Sequence, residues 1–141
     1  MAARAQEVER SPGIWRLPPF LAELSTQGHG DLVTDLLETF IEDTAMRLEA
    51  IEIGWARGDM RAAQDQAHTL KGSCQQMGAD GMALACEQIG ALAQANDTAR
   101  GRALAALLAA QWAPVRQAMT ACRDALRGGS APAPEQVVAA S

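Results

Sequence analysis

A chain of 141 residues can bury one hydrophobic core of ordinary size but not two. Its 48% hydrophobic and 21% charged residues suit a globular protein, and common alanine with no Tyr and two Phe favours helices over sheets. A net charge of −5, with the basic residues scattered, argues against a nucleic-acid binder, which would carry a basic stripe.

Cys74, Cys86 and Cys122 are odd in number and lack CxxC spacing. They predict reduced, buried thiols in a cytoplasmic protein rather than a disulfide frame or a zinc site. No apolar run approaches the roughly 18 residues of a membrane span. Residues 1–10 mix Arg4 and Arg10 with Glu7 and Glu9 and lack the apolar stretch of a signal peptide. The expectation is a soluble, intracellular chain.

Residues 1–13 read as a flexible N-terminal arm ending in Ser11-Pro12-Gly13. Apolar residues then concentrate at Ile14, Trp15, Leu17, Phe20, Leu21 and Leu24. Pro18-Pro19 suits a helical first turn, which predicts a short capping helix over 19–25. Gln27-Gly28-His29-Gly30 reads as a turn, and Asp31 as the N-cap of a long helix reaching 57. That helix carries Val33, Leu37, Phe40, Thr44, Leu48, Ile51 and Trp55 at three-four spacing, with Leu36 and Ile41 widening the stripe. Gly58 is placed to stop it in a left-handed conformation and Asp59 to cap the next helix. So short a connection predicts antiparallel neighbours.

A second long helix is expected over 60–77, burying Met60, Ala63, Ala67, Leu70, Cys74 and Met77. Gly78-Ala79-Asp80 repeats the stop and cap. A third helix over 81–95 presents Met82, Ala85, Ile89, Leu92 and Ala93. Asn96-Asp97-Thr98 breaks it and starts a last helix over 98–127, which contains Pro114. Leu104, Leu107, Leu108, Trp112, Val115, Met119, Cys122 and Leu126 keep one phase across that proline, which predicts one kinked helix rather than two. Trp15, Trp55 and Trp112 fall on apolar stretches and read as packing. The Gly101-Arg102 and Gly128-Gly129 pairs lack the strand–loop–helix context of a nucleotide site. The expected fold is all-α: an antiparallel up-and-down four-helix bundle over 14–127 with the short helix capping it, and a disordered tail over 128–141.

The second long helix carries the candidate chemistry. At about 100° per residue, His68 points about 130° from the centre of its buried stripe, toward water. Gln64, Lys71 and Gln75 share that side at i−4, i+3 and i+7, and Arg61 lies at i−7. Gly72 is the telling residue, because glycine inside a helix costs about 1 kcal/mol relative to alanine. It projects away from the core, so bundle packing does not explain it, whereas a bare patch lets a partner approach the imidazole. Lys71 offers a mobile positive charge within one turn, suited to an anion such as phosphate. Imidazole is a competent nucleophile near neutral pH. His29, in its Gly-flanked turn, reads as a surface loop residue. Asp65-x-x-His68 occurs once only, which leaves a single-metal site as a weak alternative.

The run Ala67-His68-Thr69-Leu70-Lys71-Gly72-Ser73, followed by Met77-Gly78-Ala79, resembles the histidine-containing phosphotransfer (HPt) domain family. The resemblance extends from about Phe20 to Met119 and takes in the Gly58-Asp59 turn and Leu84-Ala85-Cys86-Glu87. It implies a phosphoryl carrier rather than an enzyme. His68 would accept a phosphoryl group from a receiver-domain aspartate and pass it to another receiver. Lys71 would pair with the phosphoryl oxygens, and Gln75 would offer a hydrogen bond. Arg61, Gln64, Gly72 and Gln76 would lie in the docking surface. No cofactor is expected here, since the metal ion and acidic pocket belong to the receiver. The implied partners are response-regulator receiver domains and a hybrid sensor histidine kinase, while a fully closed bundle predicts a monomer. The chain reads as free-standing, without the kinase core or receiver to which many relatives are attached. The alternative from another class is a helical adaptor that docks on a receiver or kinase without carrying phosphate.

Overall fold

The computed structural model describes residues 15–128. The arm expected over 1–13 and the tail expected over 128–141 lie outside these residues, apart from Gly128. Five helices occur in the described residues: α1 (Pro19–Thr26), α2 (Gly30–Arg57), α3 (Met60–Gln76), α4 (Asp80–Gln94) and α5 (Thr98–Arg127). No strand occurs among them. Helix α2 packs on α3, α3 on α4, α4 on α5 and α5 back on α2, which closes an antiparallel four-helix bundle. Helix α1 lies against α2.

The bundle forms because each helix buries one stripe. Val33, Leu37, Phe40, Ile51 and Trp55 of α2 meet Leu108, Trp112, Val115 and Met119 of α5 in one core. Phe40 and Trp112 pack edge to face at 5.9 Å and 70°. Arg127 of α5 forms an ion pair with Glu38 of α2. Helix α3 contributes the smaller Ala63, Ala67, Leu70 and Cys74. All three tryptophans are buried, as their positions predict.

The end of the bundle is closed by the segment before α1. The indole Nε1–H of Trp15 donates to the Met77 carbonyl at 2.6 Å, satisfying a group that the end of α3 would otherwise leave unpaired. Pro18 precedes α1 and Pro19 opens it, where a missing N–H is harmless.

The turns follow the expected chemistry at some junctions and depart from it at others. Gly58 ends α2 in the left-handed region at φ +73°. The Asp59 carboxylate accepts the Ala62 N–H at 3.0 Å, and the Asp97 carboxylate accepts the Arg100 N–H at 3.2 Å. Asp31 and Asp80, however, are not N-caps. Helix α2 already begins at Gly30 behind His29, and α4 at Asp80 behind Ala79, with no side-chain cap at either end. Both aspartates sit inside the first turn, where a negative charge still meets the positive end of the helix dipole.

Two leucines expected on buried stripes are exposed. Leu36 on α2 is 41% exposed and Leu107 on α5 is 61% exposed. Each stands beside a fully buried leucine, Leu37 or Leu108, and the bundle uses the narrower stripe. Helix α5 runs unbroken through Pro114, so the common phase on either side of the proline reflects one helix.

Candidate functional site

His68 lies midway along α3, and the opposite faces of that helix fix its rotation. Ala63, Ala67, Leu70 and Cys74 are buried in the core. On the α2 side, the Arg47 guanidinium donates to Asp43 at 2.7 Å and to Gln66 of α3 at 2.9 Å. Gln66 and His68 are two residues apart, about 200° around the helix, so tying down the first turns the second outward. His68 is exposed.

The imidazole opens onto a groove of about 470 Å³ between α3 and α4. Gln64, Asp65, His68 and Lys71 form the α3 wall. Cys86, Glu87, Gly90, Ala91 and Gln94 form the α4 wall. The Lys71 Nζ stands 3.7 Å from the Glu87 carboxylate. Of the residues singled out in the sequence, Gln64, His68 and Lys71 therefore share one groove. Gly72 is exposed next to it, and a Cβ added there would meet nothing within 4 Å. Gln75 and Gln76 are exposed in the last turn of α3, and Arg61 is exposed in its first. None of these three lines the groove, and none makes a side-chain hydrogen bond among the described residues.

The α4 wall was not legible in the sequence. Periodicity within α3 tells which way His68 points but not which neighbour stands beside it. Gly90 carried a signal: like Gly72 it is a helical glycine in an alanine-rich chain, and a Cβ there would also meet nothing within 4 Å. Two glycines without a packing reason thus flank the same imidazole.

Beneath the groove the α3–α4 seam is apolar. Cys74 and Cys86 are buried and free, and a hydrogen bond between them that favours the protonated Cys74, with burial, pushes its thiol far up. Burial alone pushes Cys122 on α5 up to about 11. Cys74 and Cys122 are thus held protonated and are poor nucleophiles. His29, the other histidine, is exposed at the start of α2, where its backbone N–H donates to the Leu24 carbonyl at 2.9 Å. No three His, Cys, Asp or Glu side chains come together as a metal-binding group among the described residues.

Comparison with known proteins identifies the family and the fold. The family model of the Hpt domain matches residues 35–129, which span the bundle from α2 onward. Among solved structures, the histidine-containing phosphotransfer protein B (HptB) of Pseudomonas aeruginosa PAO1 superposes with a TM-score of 0.69 at 27% sequence identity. The match covers 77% of this chain and 95% of that one. A search of curated proteins found no match. The family match spans well over half of the chain, on a helical bundle of the same fold as HptB, and this chain belongs to the Hpt domain family, the phosphoryl carriers of phosphorelays.

Proposed function

We propose that His68 is the phosphoryl acceptor of this carrier, taking the group from a receiver-domain aspartate and passing it to a second receiver. One observation carries the reading: an exposed imidazole on α3 shares an open groove with Lys71, in a chain of the Hpt family. An unprotonated ring nitrogen attacks the phosphorus of the aspartyl phosphate. A P–N bond forms, the P–O bond breaks, and the aspartate leaves as a free carboxylate. The proton on the other ring nitrogen stays in place. The reverse step, attack by a second receiver's aspartate, returns the imidazole to its starting state.

Lys71 supplies charge to the phosphoryl oxygens, and Gln75, one turn beyond Lys71 on α3, offers a hydrogen bond at the rim. Gly72 leaves room for the receiver's backbone, with Arg61, Gln64 and Gln76 around it as docking contacts. This chain holds no cofactor in the proposed cycle; a metal ion and acidic pocket on the receiver polarise the phosphoryl group. The partners are response-regulator receivers and a hybrid sensor histidine kinase, and the carrier works as a cytoplasmic monomer. No helix among the described residues is long and apolar enough to cross a membrane.

The test is phosphotransfer from receiver domains of the same cell, charged with acetyl phosphate, to the wild type and to His68→Gln. The reading predicts label on the wild type that is acid-labile and base-stable, with none on the variant. Tight binding to a receiver with no transfer to the wild type would overturn it in favour of the adaptor.

A further inference from the structure

Lys71 does not stand free beside His68. Its ammonium faces the Glu87 carboxylate across the groove at 3.7 Å, beyond hydrogen-bond length but within ion-pair range. The pair is loose, with Lys71 30% and Glu87 61% exposed, so water and salt screen it and Lys71 can leave. Asp65 lines the same groove without reaching ion-pair distance of Lys71. Carboxylates therefore outnumber ammonium groups around the imidazole. A phosphoryl group on His68 adds about two further negative charges. Lys71 must then divide itself between the phosphoryl oxygens and Glu87, and whichever anion it leaves stands uncompensated beside the other.

We infer that Glu87 is a positioning residue for the phosphorelay, acting through Lys71; the inference rests on the reading of His68 as the phosphoryl acceptor. In the unphosphorylated chain Glu87 holds the ammonium across the mouth of the groove. In the phosphorylated chain it competes for Lys71 and repels the phosphoryl group. Both effects act in one direction, weakening retention on His68 and favouring transfer onward. Glu87 makes and breaks no bond in the transfer. It sets the balance point of an exchange whose chemistry belongs to His68 and the receiver.

The test measures the equilibrium between one receiver domain, charged with acetyl phosphate, and this chain, as the ratio of phosphoryl on each protein. Glu87→Gln is expected to shift the ratio toward His68 by about three- to tenfold at low salt, the range of an exposed charge pair plus a removed like charge. Glu87→Asp is expected to stay near the wild-type ratio. In a Lys71→Ala background the Glu87→Gln shift is expected to shrink, because the route through Lys71 is gone. At about 0.5 M salt the shift is expected to collapse, which a merely structural role would not do. A Glu87→Gln ratio equal to that of the wild type at low salt, with His68 still labelled, overturns this inference and leaves the carrier reading intact. No label on wild-type His68 overturns both.

Discussion

The two sides of the bundle use glycine in opposite ways. On the α2–α5 side, Gly101 is buried, and a Cβ there would fall within the Trp55 ring. That glycine exists so that α5 can lie on an indole. On the α3–α4 side, Gly72 and Gly90 face open space, and nothing in the fold asks for either. A glycine inside a helix costs about the same at all three positions. Only the surroundings separate a packing glycine from one that faces open space, and the difference marks which face of the bundle the fold fills and which it leaves bare.

The strongest way to break this comparison is on the packed side. Gly101→Val forces a branched side chain into the Trp55 ring and is expected to cost about 3 kcal/mol or more. Denaturant unfolding would measure it, and a stability within 1 kcal/mol of wild type would remove the distinction between the two faces. The thiols sharpen the comparison next, because they report how dry the interior is. Cys122 loses its proton near 9 when unfolded and near 11 when folded. Between those values the unfolded chain binds fewer protons, so stability should fall as pH rises, by about 2–3 kcal/mol for this group. Unfolding curves at pH 8 and pH 11 check the sign, and Cys122→Ala should flatten the slope.

A smaller effect is expected on the open side, with the opposite sign. Gly72→Ala should stabilise the folded chain by about 0.5–1 kcal/mol, since helix propensity improves and no neighbour is touched. The added methyl should nonetheless weaken receiver binding about tenfold by crowding the docked surface. Thermal melts and titration with a receiver separate the two. The smallest effect belongs to the core of α2, where the Thr44 hydroxyl is buried without a partner among the described residues. Thr44→Val should leave stability unchanged or raise it by up to about 1 kcal/mol.

Much of the fold was legible because helix periodicity and turn chemistry agree. The Gly58-Asp59 and Asp97 junctions stop and restart helices as their residues dictate. Asp31 and Asp80 misled because an aspartate serves equally as a cap or as a first-turn charge, and a one-residue shift in helix start exchanges the two roles. Leu36 and Leu107 misled because a run of two leucines does not say which one faces the core. His68, Lys71 and Gly72 were visible as a pattern on one helix. Their opposite wall, Glu87 and Gly90, depended on which helix packs alongside α3 and in what register, which a single-helix pattern does not encode. Gly101 and Gly72 could not be told apart until Trp55 was placed.

The central claim is that the open α3–α4 face carries the phosphoryl group on one imidazole. The chain has two histidines, which makes the claim directly decidable. After transfer from a charged receiver, mass spectrometry under fragmentation that preserves the P–N bond would locate the phosphoryl group. The account predicts it on the peptide containing His68. Label on His29, or on no histidine while a receiver stays bound, would contradict it.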